Sequence, residues 1–115
     1  MTEAELAWVA GLLEGEGCFF PIEYRTAKYG PYVYARVAVL MTDLDILQRL
    51  QSLTGVGNIN GPTIRKDPKH KPLWHWVVSK NKESITLMKA VYPWMGERRR
   101  GRIDEVLALV EKGRG

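Results

Sequence analysis

Cysteine and histidine are scarce in this sequence of 115 residues. Its one cysteine, Cys18, cannot form an intrachain disulfide, so we expect an intracellular, reducing compartment. The two histidines, His70 and His75, lack both the spacing of zinc ligands and a partner cysteine, which argues against a zinc site. No uncharged stretch is long enough to cross a membrane, and no charged segment precedes a cleavable apolar run. We therefore expect a soluble protein with no membrane partner.

The composition is that of a folded, mildly basic protein. Hydrophobic residues make up 45% of the chain, which is enough for a core, and the length predicts a single domain over residues 1–115. Lysine and arginine total 17 against 13 acidic residues, so the formal net charge is +4. That charge is compatible with a nucleic-acid partner but does not establish one.

Hydrophobic periodicity predicts the order α-β-β-α-β-β-α-α. A capping box of Thr2 and Glu5 starts the first helix at Glu3, and Gly15 and Gly17 end it. The second helix is capped by Thr42 and ends before Gly55. The remaining predicted elements are the helices Lys82–Val91 and Glu97–Lys112 and the strands Cys18–Ala27, Tyr32–Met41, Val56–Asn60 and Leu73–Ser79.

Two αββ units predict an α+β fold in which a four-stranded antiparallel sheet carries its helices on one face. Pro21 predicts an edge position or a one-residue bulge in the first strand, which would place Glu23 and Arg25 on the outer face. In the other strands, the valines of one parity and Trp74, Trp76 and Val78 are expected to form the core.

The opposite, open face of this sheet is a candidate platform for nucleic acid. Tyr32, Tyr34, Arg36 and His75 should face outward, and the loop from Gly61 to Pro72 is the most basic segment. An ordinary solvated sheet face is the alternative, because exposed tyrosines are common. The candidate nucleic-acid contacts are Arg25, Tyr32, Tyr34, Arg36, Arg65, Lys66, Lys69, Lys71 and His75.

The segment Trp8–Gly17 breaks two local rules. No side chain from Leu6 to Leu13 is charged, and a helix that is apolar all round is normally covered on all sides. Glu14 and Glu16 then follow at the helix C-terminus, where the helix dipole disfavours acids. A bound cation would resolve this conflict. The alternatives are a structural role for Glu14 and a merely solvated Glu16.

The nine residues Val9–Gly17 resemble the motif of the LAGLIDADG homing endonucleases. The element order also resembles that family, as do the segments Thr54–Ile59 and Tyr92–Trp94 and the basic run Arg98–Arg100. The resemblance implies a homodimer in which two such helices pack together, with Ala7, Ala10 and Gly11 at the contact. It also implies a saddle-shaped sheet over the DNA major groove, a long pseudo-palindromic site, and a role in intron or intein mobility.

The resemblance further implies that Glu16 binds a divalent cation such as Mg²⁺ and that the protein hydrolyses double-stranded DNA. A basic residue at the start of the last helix would stabilise the phosphate, and Arg98 is the best match, with Arg99 and Arg100 as rivals. Arg99 and Arg100 are also candidate DNA contacts. Met41 stands where the family often has Gln or Asn. It keeps open an alternative, a non-cleaving DNA-binding regulator or RNA-splicing cofactor. An unrelated small RNA-binding domain is a third, less favoured hypothesis.

Overall fold

A computed structural model describes residues 1–114, and it confirms the predicted order of elements. The helices are α1 (Glu3–Glu16), α2 (Leu44–Thr54), α3 (Asn81–Val91) and α4 (Glu97–Arg114), with a 3₁₀ turn at Tyr92–Trp94 between the last two. The strands are β1 (Gly17–Tyr24), β2 (Tyr32–Met41), β3 (Asn58–Thr63) and β4 (Leu73–Val78). None of the helices in this range is both long enough and apolar enough to span a membrane.

The four strands form one antiparallel sheet in the order β1-β2-β4-β3. The prediction of an edge position for Pro21 is confirmed, because β1 is an outer strand. The prediction of a bulge there is wrong, since β1 and β2 pair without interruption from Gly17–Val39 to Tyr24–Tyr32. Ala35, opposite Pro21, donates its N–H to Asn81 Oδ1 at 2.7 Å instead of to β1. The missing proline N–H therefore costs the sheet no hydrogen bond.

The unbroken pairing also corrects the faces of β1. Successive side chains of a strand point to opposite faces, so Glu23 shares the helix-covered face with the buried Phe19. Ile22 and Tyr24, which the bulge would have turned toward the core, instead share the open face with Cys18.

The helices cover one face of the sheet, and the core lies between the two layers. Val37, Val39, Trp76 and Val78 point into it and are fully buried, as the alternation of these strands predicts. Helix side chains fill it from above, among them Leu13 of α1, Leu47 of α2, Met88 of α3 and Ile103 of α4.

Several helix ends follow from local hydrogen bonds. The predicted capping box at Thr2 is confirmed, and its hydrogen bonds lower the pKa of the exposed Glu5 carboxyl. The prediction that Gly15 ends α1 is wrong: α1 continues to Glu16, and the N–H of Gly17 bonds to the carbonyl of Leu13. Gly17 is required at this point, because a Cβ there would lie 2.7 Å from that carbonyl oxygen.

Other boundaries differ by a few residues. Asp43, rather than Thr42, is the N-cap of α2, and no side chain caps this end, whereas Gly55 ends α2 with a left-handed φ of 67° as predicted. β1 stops at Tyr24 because Thr26 and Tyr29 hydrogen-bond to each other in a turn. β3 begins at Asn58 and takes in residues 61–63 of the predicted loop, and α4 runs past Lys112.

Candidate nucleic-acid interface and active site

The open face of the sheet carries the side chains that its alternation predicts. Tyr32 and Tyr34 are 39% and 40% exposed, and Arg36 follows them on the same face of β2. Within the strands, the residues whose register places them on this face are Cys18, Phe20, Ile22, Tyr24, Tyr32, Tyr34, Arg36, Ala38, Leu40, Asn58, Asn60, Thr63, Leu73, His75 and Val77. Arg36 is the one charged side chain in this set. The surface is otherwise a mixture of aromatic, aliphatic and hydrogen-bonding groups.

His75 lies on the open face, opposite Leu40 of β2 and Asn60 of β3. Its Nε2 is 3.0 Å from the hydroxyl of Thr63, and the direction of this hydrogen bond depends on the histidine tautomer. The contact orients the imidazole ring, which is partly exposed on the open face.

The basic loop between β3 and β4 covers residues 64–72 and is exposed throughout. Arg65 partly closes it, because its guanidinium donates to the carbonyl of Lys71 at 3.0 Å. The side chains of Lys66, Lys69 and Lys71 project from the exposed loop. Arg25 follows β1 and forms a solvated ion pair with Glu23 at 3.3 Å, so its predicted role no longer has the support of a bulge.

The beginning of α4 packs against the end of α1, and Arg99 links them. Its Nε donates to the carbonyl of Glu14 at 3.0 Å, and its Nη1 donates to the carbonyl of Gly17. Arg99 therefore supplies positive charge to a helix terminus that has no basic residue of its own. A side chain of the protein thus supplies part of the positive charge that favours this helix end, and the bound cation stays a prediction. Because its guanidinium is committed to these carbonyls, the prediction that Arg99 contacts DNA is not supported.

Glu14 has a structural role in the same junction. Its Oε1 accepts the N–H of Gly96 at 3.2 Å, just before α4 begins. A carboxylate is favourable at a helix N-terminus. A Cβ at Gly96 would lie 2.6 Å from this oxygen, so the glycine permits the contact. The structural alternative for Glu14 is therefore the one that the geometry supports.

Arg98 and Arg100 lie on different sides of α4. Arg98 lines a cleft of about 570 Å³ between α4 and the first residues of β1, together with Cys18, Phe20, Gly101 and Arg102. Arg102 is anchored there by a 2.8 Å hydrogen bond to the carbonyl of Phe19 and an ion pair with Glu105. The guanidinium of Arg98 is exposed, and it remains the best candidate for phosphate contact.

Arg100 is placed on the side of α4 that faces Tyr92. The phenol of Tyr92 donates a 3.1 Å hydrogen bond to Asp104, which raises the pKa of Tyr92, and the nearby charge of Arg100 opposes that rise. Arg100 is not among the residues lining the cleft beside β1. Its predicted DNA contact therefore has less geometric support than that of Arg98.

Glu16 is exposed at the last residue of α1, next to the cleft that begins at Cys18. Within residues 1–114 no hydrogen bond or ion pair engages its carboxylate, so it is free to bind a cation. Over the same residues, no three His, Cys, Asp or Glu side chains are grouped closely enough to hold a metal ion. Glu16 is therefore an exposed carboxylate that stands apart from any such group in the part of the chain that the structure describes.

The outward face of α1 carries apolar residues, two of which are small. Ala7, Trp8, Gly11 and Leu12 line a groove of about 520 Å³ that continues onto Met41, Asp43 and Ile46. The ring of Trp8 is held by the guanidinium of Arg49, which lies 4.2 Å from the ring centroid. A Cβ at Gly11 or Gly15 would meet no atom within 4 Å, so neither glycine is required by packing within the chain.

Ala10 does not lie on the outward face of α1, where the predicted helix contact would form. It is only 2% exposed and belongs to the core of its own chain, whereas Ala7 and Gly11 lie on the outward face. The prediction treated all small residues of the helix alike. The helical position of Ala10, next to the buried Val9, turns it inward.

Met41 points to the helix-covered side of the sheet. It lies opposite Trp74, packs against the core and reaches the groove beside α1. An apolar side chain suits that position. The neighbouring Thr42 and Asp43 remain the polar groups at this end of β2.

Sequence reasoning missed Asn58, Asn60 and Arg102. The two asparagines alternate with the partly buried Ile59, so their parity alone could have placed them on the open face. Arg102 lies two residues beyond the basic run Arg98–Arg100. Its bond to a β1 carbonyl depends on how α4 docks, for which the local sequence carries no signal.

The chain matches one family profile, that of the LAGLIDADG endonucleases, over residues 9–98. No curated protein sequence matches it significantly.

Among solved structures, the homing endonuclease I-CvuI in complex with its target and calcium is similar, with a TM-score of 0.74 and 20% identity over 97% of this chain and 69% of that chain. I-CvuI with the I-CreI target and magnesium, in which the DNA is not cleaved, gives a TM-score of 0.72 and 21% identity over 96% of this chain and 68% of that chain. The group I intron-encoded endonuclease I-CeuI with DNA gives a TM-score of 0.67 and 18% identity over 96% of this chain and 55% of that chain. At these identities the likeness shows a shared fold.

Proposed function

Because the chain belongs to the LAGLIDADG endonuclease family, a family of DNA-cleaving hydrolases, we propose that it cuts double-stranded DNA at a specific site as a metal-dependent homodimer. The family resemblance and the α+β fold predicted from the sequence are both confirmed. The observation that carries the proposal is the single exposed Glu16 at the end of an apolar α1 whose outward face is uncovered.

Duplex DNA is the partner that suits the open sheet face. Basic side chains lie in the loops at both ends of the sheet, with Arg25 and Lys28 between β1 and β2 and four cationic residues between β3 and β4. The loops are positioned to contact phosphates, while the strands present hydrogen-bonding and apolar groups to base edges. This division fits a protein that both binds tightly and reads a sequence.

A second copy of the chain is the partner that suits the outward face of α1. Small residues let two helices approach closely, and a two-fold axis at Gly11 would bring both α1 helices together along one side. Each α1 would then carry its Glu16 toward the other. One chain is expected to contact one half of a pseudo-palindromic target, and the dimer is expected to contact both halves.

The two Glu16 carboxylates would hold the divalent cation, with Mg²⁺ as the proposed ion. When bound, such a cation neutralises charge on the scissile phosphate and lowers the pKa of a coordinated water. Glu16 supplies oxygen ligands of the kind that Mg²⁺ prefers. Arg98 donates its guanidinium N–H groups to the phosphate oxygens, where charge accumulates in the transition state. Arg99 and Glu14 link the beginning of α4, which carries Arg98, to the end of α1, which carries Glu16.

The test is cleavage of a randomised double-stranded DNA library in Mg²⁺ by the wild type and by Glu16→Gln. The wild type is expected to produce discrete double-strand cuts, and Glu16→Gln, which keeps the shape but loses the charge, should bind DNA and cut at least a hundredfold more slowly. DNA binding without cutting by either protein, with any divalent cation, would favour the regulator. A preference for RNA over duplex DNA would reject the proposal. Mobility of an intron or intein is the biological role that such an activity would serve.

A further inference from the structure

Arg36 lies on the open face, away from the charged side chains of the hairpin loops. It lies near the middle of β2, an inner strand of the sheet, and it is the one charged residue that the strands of residues 1–114 direct to this face. The basic hairpin loops, residues 25–31 and 64–72, lie at opposite ends of β2, because Tyr32 pairs with Tyr24 and Met41 pairs with Trp74. Charge is therefore concentrated at the two ends of the sheet and at one central point.

The surroundings of Arg36 provide it with no partner. Phe20 lies directly opposite on β1, and Tyr34 and Ala38 flank it on β2. None of these groups is acidic, and no described hydrogen bond or ion pair engages its guanidinium. Its Nε is buried and has no hydrogen-bond partner, although buried donors are almost always paired. The guanidinium of Arg36 thus lies among aromatic and aliphatic side chains, and its hydrogen-bonding capacity is not used within the described residues.

The position of Arg36 indicates which ligand it contacts. Phosphates line the rims of a DNA groove, and base edges form its floor. β2 has ten residues and is therefore about 30 Å long, so it must lie along the groove rather than across it. With the loops at its two ends on phosphates, the centre of β2 then faces the floor. Arginine pairs there with guanine, because its N–H groups match the O6 and N7 acceptors of that base in the major groove. Resting on the proposed function, we infer that Arg36 is a specificity-determining residue that reads one guanine in each half of the target.

Selection from a randomised duplex library tests this inference. The wild type, Arg36→Ala and Arg36→Gln are each used to recover bound sequences, with thermal melting to verify that each variant is folded. Lys66→Ala, in the basic loop, serves as the contrast, because loss of a phosphate contact should weaken binding to all sequences alike and reduce the salt dependence.

The wild type is expected to require guanine at one symmetric pair of positions by about five- to hundredfold over other bases. Arg36→Ala should lose that preference there and keep it elsewhere, while Arg36→Gln should favour adenine at the same positions, since glutamine pairs with adenine N6 and N7. If both variants select the same sequences as the wild type, the inference is overturned while the proposed function stands. If the wild type binds and cuts no duplex, both fall. If Arg36→Ala behaves like Lys66→Ala, Arg36 contacts phosphate and the inference is wrong.

Discussion

Two helices of this protein carry a glycine in a place where a Cβ would meet no atom within 4 Å, yet their surroundings are opposite in character. Gly11 of α1 is flanked by Ala7, Trp8 and Leu12 in an apolar groove. Gly101 of α4 lies in a cleft whose charged side chains include Arg98 and Arg102. The surface at Gly11 is suited to another protein surface, and the surface at Gly101 to an anion.

The two uncovered surfaces differ in what makes each of them compatible with a stable chain. If a second copy covers the groove of α1, as we propose, its apolar side chains would be exposed only in the separated chain. The surface of α4 that carries Arg98 and Arg102 needs no covering partner, because water hydrates its charged groups. Each glycine is costly in a helix interior, and in neither case does packing within the chain require it.

The largest effect is expected from Gly11→Arg. Because the site is open within the chain, the fold should be retained, but a long charged side chain would prevent close approach of two α1 helices. We expect dimerisation to weaken and cleavage to fall by a hundredfold or more, since burying an unpaired charge costs several kcal/mol. Sedimentation equilibrium gives the association constant.

Ala108→Arg is the matched control for Gly11→Arg, because it introduces the same side chain at an exposed position of α4. It should leave both the association constant and the cleavage rate close to those of the wild type. Equal losses from the two variants would show that added charge, and not the position on α1, was responsible.

The next effect separates two adjacent arginines of α4. Arg99→Ala should lower the free energy of unfolding by about 1–3 kcal/mol, because its charged hydrogen bonds to the carbonyls of Glu14 and Gly17 are lost. Arg98→Ala should leave the stability nearly unchanged and slow cleavage about a hundredfold. Urea denaturation and single-turnover cleavage measure the two quantities. A stable Arg99→Ala variant together with an unstable Arg98→Ala variant would reverse the assignment.

The smallest effect is expected from Gly101→Ala. Alanine is preferred to glycine in a helix interior, and no atom obstructs its methyl group, so the free energy of unfolding should rise by about 0.5–1 kcal/mol. The measurement is thermal or urea unfolding. A decrease in stability would mean that this part of α4 is more tightly packed than the structure shows.

The sequence predicted the parts of the protein that follow from local periodicity. The capping box at Thr2, the alternation in β2 and β4 and the left-handed Gly55 all depend on near neighbours, and all are observed. The prediction of a bulge at Pro21 is wrong because the sequence does not reveal that the backbone nitrogen of Pro21 faces the free edge of the sheet, where no ladder hydrogen bond is needed.

The candidate site was predictable only in part. Glu16 and the side chains of the open face could be identified from the motif and from parity. The inward Ala10 and the different sides taken by Arg98, Arg99 and Arg100 depend on how α1 and α4 are rotated against the rest of the chain. That rotation is set by long-range packing, and a run of three arginines has no periodicity that would indicate it.

We propose that two copies of this chain share one catalytic centre, to which each contributes Glu16. Mixing wild-type and Glu16→Gln chains in known ratios, allowing the subunits to exchange, and measuring the rate of double-strand cleavage tests this sharing. If both carboxylates are required and the chains assemble at random, the rate should fall with the square of the wild-type fraction. A rate that falls in direct proportion to that fraction would show that each chain acts alone, and a shared catalytic centre would be ruled out.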